Sequence, residues 1–133
     1  MAHRVGRGDG TIAGAALSCP VATALQNLHH ALSTMLYMIL ARDGDDVLQR
    51  RLAHRPAHLA RLEALRDQGR LLLAGPLPRI DAHDPGPAGF VGSLIVAEFA
   101  SLADANAWAA ADPFRSAGVY VDVEVHPFRQ VLP

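Results

Sequence analysis

Two stretches of this chain are apolar on both of their alternating faces, and they restrict its fold more than any other feature. Residues 35–42 (MLYMILAR) place Leu36, Met38 and Leu40 on one side and Tyr37, Ile39 and Ala41 on the other. Residues 92–99 (GSLIVAEF) repeat the pattern apart from Ser93 and Glu98. A strand of this kind is covered on both faces and belongs in the interior of a sheet. Asp43-Gly44-Asp45 ends the first run as a turn. Residues 46–68 then have helical composition, with an apolar stripe of Leu48, Leu52, Leu59, Leu62 and Leu65 and with Gly69 as the capping residue. Pro56 cannot donate to the carbonyl of Leu52 and its ring crowds that turn. A break is therefore expected at 53–55, with Pro56 in the first turn of a second helical piece.

Residues 70–77 (RLLLAGPL) read as a second strand, ended by Gly75-Pro76 and Pro78. Of the 11 glycines and 9 prolines, eight fall between residues 75 and 92, so a long loop is expected there. Ser101 with Asp104 three residues on forms a capping pattern for a second helix running to about Ala111. Residues 119–126 form the fourth strand, its valines at 119, 121, 123 and 125 facing one way and Tyr120, Asp122, Glu124 and His126 the other.

The order β-α-β-β-α-β is the split βαβ of ferredoxin-like domains, an α+β fold with a four-stranded antiparallel sheet. The first and third strands lie centrally in that topology, in keeping with their two apolar faces. Two helices cover only one face of such a sheet. The other, carrying residues such as Ile39, Ile95 or their neighbours, would be a large exposed apolar patch. Pairing two such faces removes it, so a symmetric homodimer is expected, with a small-molecule pocket near the sheet–sheet junction.

The chain's 133 residues suffice for one domain. All 12 basic residues are arginine, and 13 acids bring the net charge to −1. That balance gives no electrostatic footprint for nucleic acid or an anionic membrane. No apolar run approaches the roughly 18–20 residues needed to span a bilayer. Cys19 is the single cysteine, which excludes an internal disulfide and a four-cysteine zinc site. Residues 1–34 differ in character: Gly6, Gly8, Gly10 and Gly14 punctuate a stretch whose charged residues are Arg4, Arg7 and Asp9. As a secretory or lipoprotein signal this stretch is poor, since its apolar part is short and broken by Gly14. It reads as a poorly packed extension upstream of a natural start at Met35, with a frayed helix over 21–33, and a cytoplasmic location is expected.

His58 stands out as a chemical group, at the margin of the Leu62 and Leu65 stripe. The positive end of a helix starting near Pro56 would disfavour imidazolium and keep a neutral base. The plain alternative is a core-margin histidine making one hydrogen bond. His54 and His58 have the spacing of a helical metal chelate, but Pro56 lies between them and no glutamate follows the first histidine, so no metal is expected. Asp81, His83 and Asp84 read as a solvated turn, and Gly86 and Gly89 do not lead from a strand into a helix as a phosphate loop would.

Several local motifs together resemble the YciI-like proteins. They are Met35-Leu36-Tyr37, Ala41-Arg42-Asp43, Arg55-Pro56-Ala57-His58-Leu59, Gly69-Arg70-Leu71, Ala74-Gly75-Pro76, Asp112-Pro113-Phe114 and Ala117-Gly118-Val119-Tyr120. The resemblance covers residues 35–133 and none of 1–34. It implies a dimeric α+β barrel of ferredoxin-like subunits, related to small isomerases and lyases of aromatic breakdown, including a dehydrochlorinase of chlorinated hydroxyhydroquinone. By the same resemblance His58 matches the family's active-site histidine and Asp112 is its partner. Asp112 could equally cap a short turn beginning at Pro113, and the two roles are compatible. Arg55, Ser93 and the Gly75-Pro76 backbone are candidate pocket-lining groups; Arg55 could hold a carboxylate or phenolate, and Ser93 could donate to a substrate oxygen. The expectation is a cofactor-independent enzyme of lyase or isomerase type, with His58 as general acid/base on a phenolic or cyclic substrate. The alternatives are a homodimer that binds a small ligand without turnover, and an accessory module acting through partner contacts.

Overall fold

In the computed structural model, residues 34–133 are described; the expectations for the extension, for 21–33 and for Cys19 fall outside them. The elements are β1 (Met35–Asp43), α1 (Leu48–Asp67), β2 (Leu71–Pro78), a 3₁₀ turn (Gly86–Ala88), β3 (Phe90–Phe99), α2 (Leu102–Ala110), α3 (Pro113–Ser116) and β4 (Tyr120–Phe128). The sheet has the order β2-β3-β1-β4 and every pairing is antiparallel. The two strands with two apolar faces thus occupy the centre, in register at Ile39↔Ile95. This is the ferredoxin-like α+β fold.

Alternation along the central strands sorts their side chains between two environments. Tyr37, Ile39, Ile95, Ala97 and Phe99 meet Leu62 and Leu65 of α1 and Ala105 and Ala109 of α2 in the main core. Phe114, Val119 and Tyr120 join Ala41 and Val47 in a second cluster. Burying Phe99 or Phe114 stabilises the fold by roughly 1.5–3 kcal/mol each. Ile39 and Ile95 therefore lie under the helices, whereas Leu36, Met38, Leu40 and Leu94 stand on the opposite face, each half-buried.

The elements depart from the sequence expectations at four places. Pro56 does not break α1, which runs unbroken from Leu48 to Asp67. Residues 52–57 are all exposed, so the backbone group freed by the proline is solvated, while buried Arg51, His58, Leu62 and Leu65 hold the helix on either side. Leu52, expected on the apolar stripe, is 51% exposed, and Arg51 takes the buried position beside it. Gly75 and Pro76 lie inside β2 instead of ending it. This edge strand pairs only with β3, where Pro76 stands opposite Ser93, so a missing N–H is tolerated. With that stretch in the strand, the loop expected there up to residue 92 is shorter and closes by Gly89.

The fourth departure is a register shift at the start of β4. Asp43 pairs with Tyr120 and Arg42 with Asp122, which leaves Val121 as an extra residue. Val121 is accordingly 57% exposed, and Tyr120 moves to the helix-covered side with Val123. One close approach is also notable. A Cβ at Gly92 would run into the Ala41 carbonyl, so glycine is what lets β3 lie against β1 at that point.

Candidate functional site

On α1, Arg51, Arg55, His58, Leu59 and Leu62 form one lengthwise stripe, spaced by helical turns. That stripe is one wall of a cavity of about 170 Å³, closed by Ala74, Gly75 and Pro76 of β2, Ser93 and Ile95 of β3, and Phe114 of α3. His58, Arg55, Gly75, Pro76 and Ser93, far apart in sequence, thus line one space. Asp112 does not line it but stands behind His58. A larger depression of about 380 Å³ lies at the β1–α1 turn, lined by Asp43, Asp45, Asp46, Arg79 and Gly89 among others. It has no histidine, and its lining is mostly turn and loop, so the smaller cavity is the better chemical candidate.

The His58 ring is held from three sides. Its Nδ1 lies 3.0 Å from Oδ1 and 2.9 Å from Oδ2 of Asp112. Its face stacks on Phe114, with centroids 4.1 Å apart and planes 14° from parallel, and the Tyr120 ring meets it edge-on. Asp112 is itself fixed: it caps α3 by accepting from the Phe114 N–H at 2.9 Å, and the Arg61 guanidinium stands 4.0 Å away. Capping and histidine orientation therefore coexist in one carboxylate. With Nδ1–H donating to Asp112, Nε2 is the ring nitrogen left over, and it makes no hydrogen bond among the described residues. The unbroken helix changes one argument: His58 sits mid-helix, so no helix end at Pro56 acts on it.

Arg61 reinforces this corner from outside. Its Nη2 donates to the Trp108 carbonyl at 2.7 Å and its guanidinium lies over the Trp108 ring. Burial lowers its pKa, and the neighbouring Asp112 opposes that shift.

A second polar group was missed by sequence reasoning. Arg51 is 95% buried by the complement of its exposure. Its Nε faces Oδ2 of Asp43 at 3.1 Å, and its Nη2 donates to the Gly92 carbonyl at 2.9 Å and to Ser93 Oγ at 2.7 Å. The guanidinium also lies over Phe114, 4.9 Å from the centroid. Burial pushes the Asp43 carboxyl up from 3.8, opposed chiefly by Arg51. The Tyr120 hydroxyl is buried near Ser93 without a well-aligned hydrogen bond, and burial raises its pKa strongly. The available signal was the spacing: Arg51 precedes His58 by seven residues, two helical turns, and so shares its face.

His54 is exposed, while Nδ1 of His58 is committed to Asp112. Among the described residues no group of three or more His, Cys, Asp or Glu side chains is placed to hold a metal ion. Asp81, His83 and Asp84 lie in an exposed turn.

The sequence pattern of the YCII-related domain matches residues 35–129, which spans every element from β1 to β4. The chain belongs to the YCII-related family. It is 60% identical over 98 residues to Protein YciI of Escherichia coli O6:H1, a match covering 74% of this chain and all of that protein. An uncharacterized protein of Haemophilus influenzae is 52% identical over 98 residues, with the same coverage. Among solved structures the fold is similar to that of a 5-chloro-2-hydroxyhydroquinone dehydrochlorinase from Burkholderia phenoliruptrix, in complex with 2,5-dihydroxybenzoquinone. That match has a TM-score of 0.63 and 29% identity, covering 71% of this chain and 94% of the other. Within the YCII-related domain lie both buried pairs and every residue of the cavity. No described helix is long and apolar enough to cross a membrane.

Proposed function

We propose that this member of the YCII-related family is a small-molecule enzyme of lyase or isomerase type that needs no cofactor, because proton transfer, with or without departure of a leaving group, involves no net oxidation or reduction. The observation that carries the proposal is the His58 ring held by both oxygens of Asp112 at the wall of a cavity. In the reaction Nε2 of His58 takes a proton from a hydroxyl or an acidic carbon of the substrate. It returns the proton to another atom, or to a departing group. Asp112 keeps its hydrogen bond to Nδ1–H throughout, which fixes the tautomer and favours the imidazolium formed in transit.

Cavity size supports a substrate with a single ring. An engineered protein cavity of about 150 Å³ accommodates benzene, and this one measures about 170 Å³. The dehydrochlorinase with a similar fold was solved with a one-ring quinone. Leu59, Leu62 and Ile95 supply the apolar walls, with Arg55 at the rim and the Gly75-Pro76 backbone opposite.

We also propose that the chain acts as a homodimer joined through the sheet face that carries Leu36, Met38, Leu40 and Leu94, with residues 35–133 as the functional unit. Sedimentation should show a dimer at micromolar concentration; a stable monomer would refute the pairing. The catalytic test is a screen of one-ring phenols and quinones for ligands that raise thermal stability, followed by turnover assays. Replacing His58 by alanine should abolish turnover of any substrate found while the chain stays folded. A tightly bound ligand with no turnover would instead identify a ligand-binding protein.

A further inference from the structure

Arg51 is a buried cation whose clamps leave one nitrogen over. Nε faces Asp43, and Nη2 donates to both Gly92 and Ser93. Nη1 makes no hydrogen bond among the described residues, although Arg51 lines the same cavity as His58. Ser93 lines the cavity beside it. Its Oγ accepts from Arg51, the Tyr120 hydroxyl is the other polar group next to it, and its hydroxyl proton can turn from that neighbour to a ligand; Ser93 is 97% buried by the complement of its exposure. Phe114 touches His58 by stacking and Arg51 through its ring face, which keeps the two groups close on one wall.

We propose that Arg51 and Ser93 form an oxyanion-binding site in this cavity, holding an ionised oxygen of a one-ring phenolate, enolate or carboxylate while His58 handles the proton. The inference rests on the enzyme reading only for the role of His58; the anion site itself does not depend on turnover. Asp43 acts through Arg51 and is a positioning residue. Its second oxygen is buried without a hydrogen-bond partner, and Arg51 is the strongest of the charges acting on it. A donor pair fixed before the ligand arrives costs no reorganisation when negative charge develops. Arg55, the arginine expected for this task, is exposed at the rim and has no partner that orients it among the described residues.

The test measures binding of two probes to the full chain by calorimetry: the 2,5-dihydroxybenzoquinone anion and its neutral dimethyl ether. The unmodified protein should prefer the anion by about 10- to 100-fold, the worth of a hydrogen bond to a charged group. Arg51→Gln should bring that ratio close to one, with Arg51→Lys between. Arg55→Gln should leave it within about twofold. Ser93→Ala keeps the cation and should lower the ratio several-fold, and it decides the matter if Arg51→Gln does not fold. An unmodified protein that binds the probes equally, or binds neither, overturns the proposal. So does a folded Arg51→Gln that keeps the ratio, an Arg55→Gln that loses it, or an unchanged ratio in Ser93→Ala. Turnover that survives His58→Ala would remove the acid/base reading and leave the anion site standing.

Discussion

Phe114 touches the basic side chain of each of two buried pairs, His58–Asp112 and Arg51–Asp43, and the pairs are built differently. Asp112 accepts from the Phe114 N–H and from His58 on one oxygen, and from His58 on the other. Asp43 has one oxygen on Arg51 and the other buried with nothing to accept from. The first carboxylate is satisfied by the backbone as well as by its partner, so it stays anchored whatever the ring does. The second has its arginine as the only hydrogen-bonding or ion-pair partner among the described residues. A carboxylate shared with the backbone stays held whatever its side-chain partner does, whereas a guanidinium keeps its charge and can be a lasting counterion. The contrast fits the proposed proton-transfer role of His58 and the proposed binding role of Arg51.

The largest effect should come from breaking the dependent pair. Arg51→Met leaves Asp43 buried and uncompensated, and denaturant unfolding should show a loss of about 3–5 kcal/mol. Adding Asp43→Leu should restore much of it, since two apolar groups leave nothing unpaired. A single variant as stable as the parent would mean that the pair is not structurally coupled. The anchored pair should respond in the opposite way. Asp112→Asn still caps α3, so stability should fall by no more than about 1 kcal/mol. An amide can present its donor to the ring and favour the wrong tautomer, so turnover of a substrate identified by screening should fall by about 100-fold or more. Equal activity would detach Asp112 from the chemistry.

Asp43 sharpens the comparison through pH. Its folded pKa is raised above 3.8 by burial, so the native state binds its proton more tightly than the unfolded one. Its contribution to stability is therefore greatest below about pH 3.8 and declines as pH rises through the folded pKa. Asp43→Asn lacks that decline, so it should appear as a fall in the difference between the parent and variant stability curves, measured by urea unfolding between pH 3 and 7. An unchanged curve would show that the Asp43 carboxyl titrates as if exposed.

The difference between the pairs also explains what could be read beforehand. The two-faced apolar strands specify the sheet order, so the fold was legible from the residues, whereas the pairing of His58 with Asp112 was legible only through the family resemblance that Arg55-Pro56-Ala57-His58-Leu59 and Asp112-Pro113-Phe114 carry. Arg51 lies in a run of charged helix residues whose ordinary reading is a solvated face. Only the tertiary pairing with Asp43 at the far end of β1 buries it. The valines of β4 suggested one continuous face, but the extra residue at Val121 reverses the alternation there and brings Tyr120 inward. Pro56 misled for a related reason: the packing of Arg51, His58, Leu62 and Leu65 outweighs one lost hydrogen bond at a solvated turn.

Tyr120 offers the mildest way to probe the ground between the pairs. Its hydroxyl is buried near Ser93 without a well-formed hydrogen bond. Removing an unsatisfied polar atom while keeping the ring is close to neutral or slightly stabilising. Tyr120→Phe should therefore change stability by less than about 1 kcal/mol at pH 7. In alkali the sign is clear. Burial holds the folded phenol protonated above its ordinary pKa of 10.0, so the unfolded state loses its proton first and the parent loses stability above about pH 10. The phenylalanine variant lacks that term and should lose less. If urea midpoints of parent and variant fall in parallel from pH 9 to 11, the hydroxyl reaches solvent or a partner. The space beside Ser93 would then be wetter than its burial indicates, and the donor pair with Arg51 less isolated from water.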